Sequence, residues 1–120
     1  MCASTDSELS MSTDYVSDHG CPEPYLRRIA EAGFSHVHWC HHWSGDFQYS
    51  RAEVRQIARW LKDYGLRLLD LHASMGEEKN WCSERTYERR AGVELVRNRL
   101  QMAHALGADV IIMHVPPAPE

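Results

Sequence analysis

Two histidines hold matching places in the chain, and the chemistry is read from them first. His72 closes the run Leu68-Leu69-Asp70-Leu71-His72, and His114 closes Val110-Ile111-Ile112-Met113-His114. Each ends an apolar stretch of strand length and stands just before a loop. A neutral imidazole can ligate a divalent metal, hydrogen-bond a hydroxyl or carry a proton. Two imidazoles fall short of a tight metal site, because catalytic zinc usually has three protein ligands. The segment His36-Val37-His38-Trp39-Cys40-His41-His42-Trp43 adds four histidines, a thiol and two indoles. Its spacing is that of neither a zinc finger nor a zinc protease. It reads as a pocket wall, with His38 near the rim and Trp39 or Trp43 offering a flat apolar surface to a sugar ring. Plainer readings stand beside these. A strand-end histidine can bond backbone, Trp39 suits a core between sheet and helix, and His41 and His42 suit a solvated loop. Asp14 is a candidate ligand-binding acid or a turn former ahead of Ser17-Asp18. Asp70 shares a face with His72 and suits pairing with an Arg or a His.

These side chains need a scaffold that aims them one way. The chain alternates short apolar runs with longer amphipathic ones. Strands are expected at Leu9–Tyr15, Phe34–Trp39, Leu66–Leu71 and Ala108–Val115. The first helix starts at Pro22 or Pro24, since proline has no N–H to lose in a first turn. The second starts at the capping box Ser50-Arg51-Ala52-Glu53 and carries the stripe Val54, Ile57, Ala58 and Leu61. The third is capped by Ser83 or its neighbours, has Glu84 in its first turn, and is expected to bury Val93, Val96, Leu100 and Ala103. Gly92 inside it costs about 1 kcal/mol against Ala. Three helices end in Gly followed at once by a strand, at Gly33-Phe34, Gly65-Leu66 and Gly107-Ala108. Pro116-Pro117-Ala118-Pro119 cannot continue the last strand. The expected fold is α/β, a parallel β-α-β-α-β-α-β. Right-handed crossovers then gather the βα loops at one end of the sheet. Strict alternation sets Leu68, Asp70 and His72 opposite Leu69 and Leu71, with polar groups towards the C-terminal end.

The 120 residues allow one domain, and a complete eight-stranded barrel takes about 250. Apolar residues at 43% and charged residues at 25% suit a globular chain. The longest wholly apolar run, Val110–Met113, is far below the ~20 residues that span a bilayer. The net charge of −4, with eleven Arg and two Lys, shows no strongly basic face for duplex nucleic acid. Arg85, Arg89, Arg90, Arg97 and Arg99 fit a mostly exposed helix face. His104 reads as structural, and Glu77-Glu78-Lys79 as a solvated loop. Met1–Ser10 lacks a basic n-region and an apolar h-region, and the four cysteines form no Cys-x-x-Cys pair. Reduced thiols and a cytoplasmic location are expected.

Ser10-Met11-Ser12-Thr13-Asp14-Tyr15, His38-Trp39-Cys40-His41-His42-Trp43, Leu69-Asp70-Leu71-His72-Ala73-Ser74 and Gly107-Ala108-Asp109-Val110-Ile111-Ile112-Met113-His114 resemble one known group. The resemblance is to the N-terminal half of a xylose isomerase-like (β/α)₈ TIM barrel, and it runs from about Leu9 to Val115. That superfamily includes sugar isomerases and epimerases and metal-dependent AP endonucleases. The resemblance implies a divalent metal (Mn, Mg, Co or Zn) at the barrel mouth of the full-length protein. In the isomerase members the metal carboxylates and the acid/base glutamates come mostly from strands five to eight. In the AP endonuclease members the histidines ending strands three and four are ligands. By that matching, His72 and His114 are metal ligands in a nuclease and substrate-binding groups in an isomerase.

The expectation is therefore a truncated, four-stranded half-barrel over residues 1–120, with a Pro-rich end at 116–120. It is expected to be the N-terminal portion of a sugar (phosphate) isomerase/epimerase, incomplete alone, with no catalytic residue of its own. His38, His72, His114, Trp43 and Asp14 are the expected substrate wall for a small carbohydrate. Nucleic acid and membrane are not expected partners; a missing C-terminal half or self-association is. The alternatives are a fragment of a metal-dependent AP endonuclease, or a binding fragment without turnover.

Overall fold

The computed structural model describes residues 8–115. The element order is β1 (Ser10–Ser12), α1 (Glu23–Glu31), β2 (His36–Trp39), α2 (Arg51–Asp63), β3 (Arg67–His72), α3 (Thr86–Ala105) and β4 (Ile111–Ile112). The strands form one parallel sheet in the order β1-β2-β3-β4. β1 and β4 are shorter than the runs expected from the sequence. The Pro-rich segment 116–120 and Cys2 lie outside the described residues.

Local chemistry explains the helix ends. Pro22 caps α1 and Pro24 sits in its first turn. At α2, Ser50 Oγ accepts the Glu53 N–H, and the Glu53 carboxylate accepts the Ser50 N–H, which completes the capping box. Gly65 follows α2 at φ +66°, in the left-handed region where a Cβ is penalised. α3 corrects the sequence reading. It begins after Arg85 with no side-chain cap, and its first-turn acid is Glu88, not Glu84. Ser83 Oγ instead accepts the Arg85 N–H and donates to Glu88.

The helices share one core. Leu26 and Ile29 of α1, Ile57 and Leu61 of α2, and Met102 and Ala103 of α3 pack on Val37, Trp39, Leu68 and Leu71. Trp39 is wholly buried there, as its core reading holds. Ala58, placed in the α2 stripe by the sequence, is exposed. Strict alternation fails in β3. The register jumps between Val37 and His38, so His36 and Val37 pair Arg67 and Leu68, while His38 and Trp39 pair Asp70 and Leu71. The extra residue, Leu69, is half-exposed. Leu68 thereby joins Leu71 on the helix side instead of Asp70 and His72.

The buried stripe of α3 is also different. It is Gly92, Leu95, Arg99, Met102 and Ala103, while Val93 and Leu100 are exposed. His104 is exposed as well. A buried cation at Arg99 defeats the apolar period. Gly92 has a packing reason, because a Cβ there meets the Trp81 backbone N at 2.1 Å and the Asn80 carbonyl carbon at 2.4 Å. The loop before α3 lies directly on the helix. Among the described residues no helix is long and apolar enough to cross a membrane.

Gly92→Ala tests that contact. Helix propensity alone favours Ala by about 1 kcal/mol. Overpacking against fixed backbone costs about 1–3 kcal/mol. A lowered urea midpoint is the expected outcome, and a raised one shows that the loop moves away freely.

Candidate functional site

The site grows from the C-terminal ends of β2, β3 and β4. Chain direction alone puts His38, His72 and His114 at the same end of a parallel sheet. His36, from the same sequence cluster, starts β2 and bonds Ser35 Oγ at 2.7 Å, at the opposite end of that strand. The bulge in β3 then matters chemically. It pairs Asp70 with His38, and His38 Nδ1 lies 2.5 Å from Asp70 Oδ1. The hydrogen bond to the Cys40 side chain, first, and the Asp70 carboxylate push the His38 pKa up to about 9, against the opposing effect of burial. His38 is an imidazolium at neutral pH.

His72 and His114 meet across the β3–β4 pair, with their Nε2 atoms 3.0 Å apart. His72 Nδ1 lies 2.8 Å from the Ala73 carbonyl. A carbonyl only accepts, so Nδ1 carries the proton. The His72 Nε2 lone pair then accepts from His114 Nε2–H. Burial, first, pushes the His72 pKa down, and the nearby charge of His38 adds to it, so this ring stays neutral. Trp43 covers the pair, with its ring centroid 4.5 Å from His72 and 5.5 Å from His114. His38 approaches His72 at 6.4 Å. Of the expected wall, His38, His72, His114 and Trp43 are thus brought together. Asp14 sits in the turn after β1, takes a hydrogen bond from Ser12 Oγ, and makes none to the histidines. Its charge still reaches His72 and His41 and offsets a small part of the lowering that burial imposes on both.

Other residues depart from the sequence reading. His41 is 1% exposed, not solvated. Its ring lies 4.9 Å from Tyr25 and 5.8 Å from Trp39, and neither ring nitrogen has a partner among the described residues. Burial first, then the neighbouring His42, pushes its pKa down to about 4. His42 is half-buried with its backbone at φ +57°, and its ring stacks on Phe47 at 4.2 Å.

Arg99, expected on an exposed helix face, is wholly buried. Its Nη2 donates to the carbonyls of His42 (3.1 Å) and Phe47 (2.9 Å) and to Ser74 Oγ (2.8 Å). Its Nη1 donates to Asn98 Oδ1, and the guanidinium lies 4.6 Å from the Tyr49 ring centre. Burial pushes its pKa down to about 10, so it keeps its charge at neutral pH. The sequence signal available for Arg99 was its place at i+4 from Leu95 and i−3 from Met102. Charge type argued against it.

Residues 26–119 match the family model of the xylose isomerase-like TIM barrel. The chain belongs to that family. An uncharacterised protein of Sinorhizobium fredii, y4fM, is 32% identical over 108 residues, covering 75% of this chain and 35% of that protein. A D-psicose 3-epimerase crystal structure superposes with TM-score 0.67 at 25% identity, over 87% of this chain and 36% of the epimerase. A family 2 AP endonuclease from Brucella melitensis gives TM-score 0.54 at 20% identity, over 85% of this chain and 37% of its own. A sugar phosphate isomerase/epimerase from Parabacteroides distasonis gives 0.56 at 15%, over 98% of this chain and 43% of its own. The last two support the fold alone. The chain spans about a third of the length of the curated relative and of the epimerase. Its four parallel strands and their helices therefore correspond to part of a TIM barrel.

For a metal, the donor set is incomplete. Among the described residues no group of three or more His, Cys, Asp or Glu is placed to hold an ion. The His72–His114 pair supplies two nitrogens that bond each other. These residues do not by themselves fit a metal centre.

The histidines set opposite pH limbs. His41 and His72 have lowered folded pKa values, so their contribution is full above about 6.5 and is lost as pH falls, for His41 through about 4. His38 has a raised value, so its contribution is full below about 6.5 and is lost as pH rises through about 9. Asp70→Asn is expected to lower the His38 pKa in a proton NMR titration and to flatten the alkaline limb of a pH–stability curve. An unmoved His38 titration rejects the pairing.

Proposed function

We propose that these strand–helix units are the first half of a barrel that isomerises or epimerises a carbohydrate, and that they build its substrate wall. The similarity to the D-psicose 3-epimerase supports the substrate class. The observation that carries the reading is the Trp43 ring lying over the His72–His114 pair at the strand ends. An indole face accepts the apolar C–H side of a sugar, and imidazole nitrogens beside it take or give hydrogen bonds to hydroxyls. His38, held charged by Cys40 and Asp70, offers a donor to a substrate oxygen. Asp14 supplies an acceptor at the rim.

The chemistry of the whole barrel would be proton transfer between adjacent carbons. A divalent metal (Mn, Mg, Co or Zn) would hold neighbouring oxygens there. Its ligands, and the proton-transferring carboxylates, would come from the other half of the barrel. The chain alone is expected to bind a sugar weakly and to turn over little or none. The open edges of β1 and β4 and the exposed apolar residues Leu69, Val110 and Ile112 suit completion by further strands or by a second copy.

A second reading, part of a metal-dependent AP endonuclease, draws on the same Nε2 pair, which would open to a zinc ion in a completed site. An affinity for abasic duplex that falls steeply with salt would favour it.

Ketose titration followed by NMR tests the first reading. Shifts are expected at the Trp43 indole and at the His72 and His114 rings. Trp43→Ala is expected to weaken binding roughly tenfold, about 1.4 kcal/mol. No shift with any ketose, alongside salt-sensitive DNA binding, replaces this reading with the nuclease one. Sedimentation of the purified 13.8 kDa chain is expected to show self-association. A stable monomer rules out closure by a second copy.

A further inference from the structure

We infer that Arg99 is a positioning residue: its buried guanidinium holds the His42 carbonyl in the geometry that presents Trp43 to His72 and His114. The inference deepens the carbohydrate reading, which needs Trp43 as a wall, but its own test uses no sugar.

The loop between β2 and α2 has no regular structure to hold it. Two adjacent α3 side chains replace that structure. Asn98 brackets Tyr49, accepting its N–H at 2.9 Å and donating to its carbonyl at 2.8 Å. Tyr49 hydroxyl accepts from Trp39 Nε1 at 3.1 Å and donates to the His41 carbonyl at 3.0 Å. Arg99 then takes the carbonyls of His42 and Phe47 together. Three points of one loop hang on one helix turn.

His42 is where the loop is strained. It is the non-glycine residue with positive φ among those described. That conformation is unfavourable for a residue with a Cβ and persists only where the surroundings impose it. Its carbonyl receives two donors, Ser74 Oγ at 2.8 Å and Arg99 Nη2 at 3.1 Å. The next residue is Trp43, whose own carbonyl accepts the Met75 N–H at 3.0 Å. Trp43 is therefore pinned on both sides, to the loop after β3 and to α3. Ser74 also accepts from Arg99 at 2.8 Å, so one guanidinium ties the β2 and β3 loops to each other.

The chemistry of the clamp requires Arg. Among the described residues the guanidinium has no carboxylate partner; its terminal nitrogens bond two carbonyls, a hydroxyl and an amide oxygen, and its Nε is left without a partner. Burying a charge this way is costly before its hydrogen bonds are counted. A planar fork reaches acceptors in several directions, while an ammonium is a point on a flexible stem. An aliphatic residue would fill the same space with no such cost, so the position serves the loop rather than the core.

The test is Arg99→Lys, read by NMR nuclear Overhauser effects from the Trp43 ring to the His72 and His114 rings at fixed pH. The expected result is loss of more than half of that intensity, while the Tyr15–Tyr25 contact (5.3 Å between ring centres) keeps its own. A merely stabilising Arg99 would lower the unfolding midpoint and leave both contacts equal in the folded population. Full Trp43–histidine intensity in folded Arg99→Lys overturns the inference. If that variant does not fold, Arg99→Met carries the same readout, because it keeps a long buried side chain and removes the guanidinium donors to His42 and Phe47. Unchanged intensity there overturns it too. A chain that keeps these contacts yet binds no ketose fails the carbohydrate reading alone.

Discussion

The hand of the crossover connection governs this molecule. Four parallel strands in sequential order, each joined to the next through a helix, put every helix on the same side of the sheet. Leu26, Ile57 and Met102 therefore share one core with Val37, Trp39 and Leu71. Among the described residues the opposite face is left without helices. The same connectivity gathers every βα loop at the C-terminal strand ends, where ligands bind in barrels of this kind. His72 and His114 meet there because their strands are neighbours, not because they are close in sequence.

Within that frame the site separates its charges. His38 is held protonated beside Cys40 and Asp70, while His72 is held neutral by burial and by the charge of His38. The charged His38 ring thus stands 6.4 Å from a neutral His72 whose two nitrogens are taken up by Ala73 and His114. A mixed donor and acceptor surface beside an indole face suits a polyhydroxylated ligand. It suits a bare phosphate less, since Asp14 and Asp70 stand in the same region.

The irregular features lie where the regular ones end. The β3 bulge exposes Leu69 and pairs Asp70 with His38. The left-handed His42 precedes Trp43. Gly92 lets the Asn80–Trp81 backbone lie on α3. Exposed Val93 and Leu100 extend the apolar surface of α3 beyond the core this chain builds. Each is a local departure from ideal geometry that a regular α/β layer would not need.

Much of the architecture was legible along the chain. Helix ends were encoded by local hydrogen-bond chemistry at Ser50, Glu53 and Gly65, and short glycine-ended connections between apolar runs required parallel neighbours. That put His38, His72 and His114 at one end of the sheet before any coordinate was known. Three things were decided only by tertiary contact. The bulge moved Leu68 to the helix side, because period two cannot register an extra residue. Arg99 took a core position that a hydrophobicity pattern assigns to an apolar side chain, because two carbonyls of the β2–α2 loop and the Ser74 hydroxyl after β3 converge there on its terminal nitrogens. His41 turned inward against Tyr25 and Trp39, although its neighbours read as a solvated loop. Sequence periodicity records which way a backbone faces; it does not record which polar groups the fold will later bring within hydrogen-bonding distance.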